Sequence, residues 1–113
     1  MKSISKDLTG ASAAAIVLCA ISNNDNYGYE IVQKVKKISN GEITWKEASI
    51  YPVLKKLETG GMIKSYWKMQ ENERPRRYYT ILSAGKKQLE IYLHEWELVY
   101  SVINKLKKTN EDH

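Results

Sequence analysis

The side chains best suited to chemistry in this sequence are its three arginines, which fall within four positions of one another at Arg74, Arg76 and Arg77. A guanidinium group is planar, and its paired N–H donors match the oxygens of a phosphate. Residues 63–82 carry five cationic side chains against two carboxylates, so this segment predicts contact with the backbone of a nucleic acid. The alternative for a single arginine is a salt bridge with Glu71 or Glu73 in the same segment.

A second group of candidate DNA contacts precedes the arginines, in a segment with helical periodicity. Ile50, Leu54 and Leu57 repeat at i, i+4 and i+7, which predicts one buried helical face. The other face presents a hydroxyl, a flat ring and ammonium groups, which suits a helix in a major groove. The residues expected to contact DNA on or beside it are Lys46, Ser49, Tyr51, Pro52, Lys55 and Lys56. Because the net charge of residues 45–60 is only +1, an ordinary solvated face is the alternative for this helix taken alone.

No set of catalytic residues occurs at a workable spacing in the sequence. The sequence offers no pair of carboxylates, no nucleophile beside a base and no glycine-rich phosphate loop. Its one cysteine, Cys19, cannot form an intramolecular disulfide, and two histidines make a zinc site within one chain unexpected. We therefore expect no enzyme, no metal and no cofactor. Cys19 is expected to be a buried, unreactive core residue, with redox sensing together with a second copy as the alternative.

Length and composition indicate a single globular domain. A chain of 113 residues can bury one core but not two, and 42% hydrophobic with 27% charged residues is typical of a folded protein. The net charge of +5 favours an acidic partner. The longest apolar run, residues 13–21, is too short to span a membrane and lacks the cationic flank of a signal peptide, so we expect a cytoplasmic protein.

Three helices are expected to come first in the chain. Residues 8–21 are apolar on nearly all sides, which predicts a helix that is buried on more than one face. A second helix opens at residues 27–29. Its inward face is predicted to comprise Ile31, Val32, Val35 and Ile38. The third helix is predicted to begin at a capping box, in which Thr44 and Glu47 satisfy each other's backbone amides.

A β-hairpin is expected to follow the helices. Residues 63–68 and 76–81 are β-type runs that flank a polar loop at residues 70–75. Three helices followed by a β-ribbon describe a winged helix–turn–helix. We expect this unit to occupy residues 1–82 and to bind DNA, in a fold that is mainly α with a small β-hairpin.

The remaining residues, 83–113, are expected to form a long helix that mediates dimerisation. Ser83 is the expected N-cap, and a helix over residues 84–107 would be about 36 Å long. A small domain cannot cover an apolar stripe of that length, so a second copy of the chain is the expected cover. The residues predicted at this dimer interface are Leu89, Leu93, Trp96, Tyr100 and Ile103. Residues 84–113 carry no net charge, so the positive excess lies in the preceding residues. This division fits a DNA-binding unit followed by a dimerisation helix.

Three segments share their order and spacing with a known family. YGYEI at residues 27–31, SIYPVLKKLETGGMI at 49–63 and PRRYY at 75–79 resemble the PadR family of bacterial transcriptional regulators over nearly the whole chain. The resemblance implies a homodimer that binds an operator and represses a transport or stress gene. It also implies DNA contacts from Tyr51, from its neighbours Ser49, Pro52 and Lys55, and from the three arginines.

The single long C-terminal helix makes the chain similar to the short, multidrug-binding members of that family. In those members a tryptophan of the last helix and its counterpart in the second subunit stack on a flat aromatic drug. The resemblance assigns this role to Trp96. The other residues expected around a flat aromatic or hydrophobic ligand are Leu93, Tyr100, Cys19 and Ala15. The alternatives are a regulator whose interface is filled and binds no ligand, and a winged-helix module that binds protein instead of DNA.

Overall fold

The computed structural model describes residues 4–69 and 72–111, which form four helices and three short strands. The elements in chain order are α1 (Lys6–Ala20), β1 (Asn26–Tyr27), α2 (Gly28–Ile38), α3 (Glu47–Thr59), β2 (Ile63–Lys68), β3 (Arg76–Ile81) and α4 (Ser83–Glu111). The predicted fold class, mainly α with a β-hairpin and a long C-terminal helix, is confirmed. No helix in the described residues is both long enough and apolar enough to cross a membrane.

The core lies where the first three helices meet the hairpin. Helix α1 begins after Ser5, whose hydroxyl accepts a hydrogen bond from the Leu8 amide at 3.2 Å. Apolar side chains from α1, α2, α3 and β2 then pack into one cluster. Its fully buried members include Val17, Leu18, Ile31, Ile50, Leu54 and Ile63. Truncation of a side chain of this kind to alanine typically costs about 2–5 kcal/mol, so this cluster is what holds the elements of the surface sites in place.

The inward face of α2 is one residue shorter than predicted. Ile31, Val32 and Val35 are buried as expected, but Ile38 is 74% exposed. Ile38 is the last residue of α2, and the chain turns away directly after it through Asn40 and Gly41, which both have positive φ. The last turn of the helix therefore reaches past the core that covers its earlier turns.

The predicted capping box at the start of α3 is wrong. The helix begins at Glu47 with Lys46 as its N-cap, and no side chain caps it. The Thr44 hydroxyl instead donates to the Gly41 carbonyl at 2.9 Å. The tight turn after α2 thus engages the hydroxyl that the capping box would have used.

The sheet has three antiparallel strands in the order β1-β3-β2, so the predicted hairpin gains an unpredicted third strand. Asn26 and Tyr27 pair with Tyr79 and Tyr78 of β3. In the hairpin, Ser65 lies opposite Tyr79 and Trp67 lies opposite Arg77, on one face of the ribbon. The pairs Tyr66 with Tyr78 and Lys68 with Arg76 lie on the other face. Two-residue β1 ties the start of α2 to the hairpin.

Helix α4 packs on the domain only through its first turns. Ser83 is its first residue and not the N-cap that the sequence suggested. Gly85 lies directly against the Met62 carbonyl, and a Cβ at this position would overlap that oxygen and approach Ile81 Cγ1 to 2.8 Å. Leu89 enters the core, whereas nearly all side chains from Leu93 onward are exposed. The helix consequently projects from a molecule that measures 64 Å along its longest axis.

Candidate nucleic-acid interface

Helix α3 and the hairpin form the walls of an open groove of about 730 Å³ (the α3–hairpin groove). Tyr51 lines it from α3, and Arg74, Arg76 and Arg77 line it from the hairpin. The start of α2 contributes Gly28 and its neighbours. The fold therefore brings together an aromatic residue and three arginines that the sequence separates by more than twenty positions.

A glycine at the start of α2 determines where Tyr51 lies. A Cβ placed on Gly28 would lie 3.0 Å from Tyr51 Cε1 and 3.2 Å from both Cζ and the hydroxyl oxygen. These distances are shorter than ordinary van der Waals contact. The absence of a side chain at residue 28 thus allows the half-exposed Tyr51 ring to lie against the backbone of α2.

Tyrosine rings hold two of the three guanidinium groups. Arg76 Cζ lies 4.5 Å from the centroid of the Tyr27 ring, and Arg77 Cζ lies 5.9 Å from the centroid of Tyr79. Both distances fall within the range of a cation–π interaction. On the same face of the ribbon as Arg76, Lys68 Nζ lies 4.9 Å from the Tyr78 centroid. A ring contact leaves the N–H donors of an arginine available to a phosphate.

The salt bridge considered within the hairpin forms with a different partner. Arg77 Nη2 lies 3.4 Å from Glu58 Oε1, at the end of α3, in an exposed pair. Glu73 is exposed, and Glu71 lies outside the described residues. Glu58 Oε2 also accepts hydrogen bonds from the Ser65 amide at 3.1 Å and from the Ser65 hydroxyl at 2.7 Å. This carboxylate therefore fixes the hairpin to α3, the helix that carries the other candidate DNA contacts.

Tyrosine rings in contact with one another support the outer face of the hairpin. The ring centroids of Tyr27 and Tyr78 are 5.2 Å apart, and those of Tyr78 and Tyr66 are 5.9 Å apart. The Tyr66 hydroxyl donates to Asp25 Oδ2 at 2.6 Å, and this hydrogen bond raises the pKa of Tyr66. Burial raises the pKa of Tyr79, although nearby Arg77 opposes the change. Because their pKa values are raised, Tyr66 and Tyr79 are neutral at physiological pH and do not repel an anionic polymer.

The remaining predicted contacts of α3 lie on its other flank or its outer surface. All five are exposed: Lys46, Ser49, Pro52, Lys55 and Lys56. Ser49 borders a small hollow that faces α1, and Pro52 with Lys56 borders another beside Tyr92. The structure thus brings Tyr51, but neither Ser49 nor Lys56, together with the arginines.

Several residues of the groove were not singled out from the sequence. Trp67, Gly28 and Tyr27 line it, and Glu58 supports it from the end of α3. The pairing register was the missing signal, because it places Trp67 opposite Arg77 on the face that turns toward α3. No group of three or more possible metal ligands occurs within the described part of the chain.

A second, apolar surface lies between α1 and α4. A hollow of about 380 Å³ (the α1–α4 hollow) is lined by residues from both helices and by flanking segments. Four of the five predicted ligand contacts line it: Ala15, Cys19, Leu93 and Trp96. Tyr100, one turn further along α4, is exposed and does not line the hollow.

Two expectations about this second surface need correction. The sequence predicts Cys19 in the core, but it is exposed because α4 leaves this side of α1 uncovered. The sequence also predicts Leu89 at a dimer interface, but it is only 8% exposed and packs in the core of its own chain. The other predicted interface residues, Leu93, Trp96, Tyr100 and Ile103, are exposed.

The sequence and the fold are similar to those of known proteins. The sequence matches the model of the transcriptional regulator PadR-like family over residues 17–91. A Lysinibacillus sphaericus protein, named only as uncharacterized, is 33% identical over 89% of this chain and 93% of its own length. A transcriptional regulator from Clostridium thermocellum has a TM-score of 0.82 at 35% identity, over 90% of this chain and 96% of that one. Bacillus subtilis PadR, solved in complex with operator DNA, has a TM-score of 0.64 at 28% identity, over 71% of this chain and 45% of that one.

Proposed function

Because the chain belongs to the PadR-like family of transcriptional regulators, we propose that it is a homodimeric, sequence-specific repressor that binds an operator through the α3–hairpin groove. The observation that carries this proposal is the convergence of Tyr51 and the three arginines on one groove. In a winged helix, α3 would enter the major groove of DNA while the hairpin arginines contact phosphates of the adjoining backbone. Repression of a transporter or stress gene is the expected outcome.

Salt dependence tests the DNA contacts. Removal of one arginine–phosphate interaction should reduce the slope of log K against log salt concentration by about 0.9. We expect Arg74→Ala and Arg76→Ala each to weaken binding to duplex DNA and to reduce this slope. Lys36→Ala, an exposed cation of α2 that does not line the groove, is the matched control and should leave the slope unchanged. Wild-type protein without salt-dependent binding would instead favour a protein-interaction module.

The exposed stripe of α4 supports the homodimer. From residue 91 onward, nine large apolar side chains are at least one-third exposed: Ile91, Leu93, Trp96, Leu98, Val99, Tyr100, Val102, Ile103 and Leu106. The spacing 93, 96, 100 and 103 alternates three and four residues, which is the pattern of helices that pack along a common seam. An apolar face of this extent on one helix is a surface that a second copy would bury.

Sedimentation equilibrium tests the dimer. Ile103→Asp places a charge in the stripe and should yield a monomer at concentrations where the wild type is dimeric. Lys108→Asp makes a larger charge change on the face of α4 opposite the nine apolar side chains and should remain dimeric. A monomeric wild type, or a dimeric Ile103→Asp variant, would contradict this part of the proposal.

We also propose that the α1–α4 hollow and its symmetry mate bind a flat aromatic ligand, with Trp96 as the stacking surface. The two α4 helices of a dimer would set the distance between two α3 helices, which must match one turn of DNA, about 34 Å. A ligand wedged between the tryptophans alters operator binding only when its affinity differs between the two dimer geometries.

Titration of tryptophan fluorescence with 9-aminoacridine, without DNA, tests the ligand site. We expect saturable quenching that is lost in Trp96→Ala and retained in Trp67→Ala, since Trp67 lies in the other groove. Equal quenching in the wild type and Trp96→Ala would contradict stacking at Trp96. Absence of quenching in the wild type would indicate a filled interface.

A further inference from the structure

Trp67 has a large apolar side chain that the fold leaves exposed to solvent. It lies on β2 opposite Arg77, on the face of the ribbon that turns toward α3, and it lines the α3–hairpin groove with Tyr51. Its side chain is 67% exposed. Burial of an apolar side chain of this size would contribute substantially to stability, so its position in a cationic groove calls for a role other than packing within the domain.

The other aromatic residues of the hairpin all have partners. Tyr66 stacks on Tyr78 and donates to Asp25, and Tyr79 is buried in the core. Within residues 4–69 and 72–111, Trp67 stacks on no other ring and its indole makes no hydrogen bond. The structure thus holds a flat, unpaired ring beside three arginines that line the same groove.

We propose that Trp67 packs against a deoxyribose of the DNA strand that lies in the α3–hairpin groove, an inference that rests on the proposed DNA-binding function. A groove between a major-groove helix and a hairpin encloses one sugar–phosphate strand. Its phosphates face the guanidinium groups of Arg74, Arg76 and Arg77, whereas the sugars between them offer apolar C–H surface. Trp67 is the exposed apolar ring in the groove that suits this surface, beside the more polar ring of Tyr51.

A sugar contact has a signature that a phosphate contact lacks. Because no counterion is displaced, truncation of Trp67 should weaken binding equally at every salt concentration and leave the salt slope unchanged. Burying roughly half of such a side chain corresponds to about a 10-fold change in affinity. Trp67→Phe retains a flat ring and should weaken binding by about 3-fold or less.

Fluorescence anisotropy with a labelled mixed-sequence duplex of about one to three helical turns, at about 50–300 mM KCl, tests the contact. We expect Trp67→Ala to bind about 10-fold more weakly at each salt concentration, with the wild-type slope. Arg74→Ala provides the comparison with a reduced slope. Ile38→Ala, an equally exposed apolar residue at the end of α2, is the matched control and should bind as the wild type does. Binding of Trp67→Ala within about twofold of wild type, or with the slope of Arg74→Ala, would overturn the inference.

Acrylamide quenching provides a second readout, because Trp67 is the most exposed of the three tryptophans. Saturating duplex should protect the wild-type emission from acrylamide, and the protection should be absent in Trp67→Ala. Unchanged quenching of the wild type at saturation would also overturn the inference. Failure of the wild type to bind any duplex would refute the DNA-binding proposal itself, whereas normal binding by Trp67→Ala would refute only the sugar contact.

Discussion

Substitution of Gly28 should separate the stability of the fold from its affinity for DNA. The backbone of Gly28 does not have positive φ, so alanine is permitted there. Alanine is a better helix former than glycine and would stabilise α2 by up to about 1 kcal/mol. The new Cβ, however, would lie 3.0 Å from Tyr51 Cε1, which forces the ring to move by a few tenths of an ångström. These opposing effects predict a free energy of unfolding within about 1 kcal/mol of wild type.

Affinity for DNA should respond more strongly than stability. A displaced ring alters the position of the hydroxyl that Tyr51 presents in the groove, so we expect Gly28→Ala to weaken binding about 3- to 10-fold, a cost of about 1 kcal/mol. Gly28→Val carries two further methyl groups toward the same ring and should weaken binding more. Urea denaturation and fluorescence anisotropy of labelled duplex provide the two measurements.

A double-mutant cycle with Tyr51→Ala isolates the cause. If Gly28 acts by positioning the ring, Gly28→Val should have no further effect on DNA binding once Tyr51 is truncated. Equal reductions in affinity in the presence and absence of the ring would refute this reasoning. Full wild-type affinity in Gly28→Val would refute the role of ring position as well.

Four further substitutions test the supports of the site and the fold. Glu58→Ala removes the carboxylate that ties α3 to β2 and should destabilise the protein by about 1–2 kcal/mol in urea denaturation while weakening DNA binding. Gly85→Ala meets backbone at the start of α4 and should cost about 3 kcal/mol, whereas Gly10→Ala, with open space around it, should stabilise α1 slightly. Tyr66→Phe removes the hydrogen bond to Asp25. Because that bond raises the pKa of Tyr66 above 10.0, the advantage of wild type over Tyr66→Phe in thermal denaturation should be complete below pH 10 and lost as pH rises through the higher pKa.

The arrangement of the groove explains how a modest positive charge can serve the DNA-binding surface that we propose. The chain has a net charge of +5, and α3 contributes little of it. The fold compensates by holding arginines on tyrosine rings and by fixing the hairpin to α3 through Glu58. Donors that are already positioned lose less conformational entropy when they bind phosphate.

The sequence alone was sufficient to predict the helices and strands whose patterns involve only neighbouring residues. The period of Ile50, Leu54 and Leu57 predicted the buried face of α3, and all three are buried. The two β-type runs and the polar loop of residues 63–81 predicted both strands of the hairpin. The family resemblance carried by residues 27–31, 49–63 and 75–79 is likewise confirmed. Periodicity and turn residues act between near neighbours, so a sequence records them directly.

Features that depend on contacts between distant residues were decided only by the tertiary structure. Strand β1 exists because two residues meet β3, and its two-residue length gives no pattern to detect. The Thr44 hydroxyl had a competing acceptor at Gly41 that the capping-box motif does not include. Cys19 is exposed because it lines the open α1–α4 hollow, which the apolar composition of α1 could not show.

The composition of the groove illustrates the same division. The sequence determined that Tyr51 and the arginines are present and that a helix and a hairpin carry them. Only the fold placed them on one surface, with Gly28 beneath the ring and Trp67 beside the arginines. Side-chain type and helical period are properties of the chain itself, whereas proximity across more than twenty residues arises from packing of α2, α3 and β3 around a shared core.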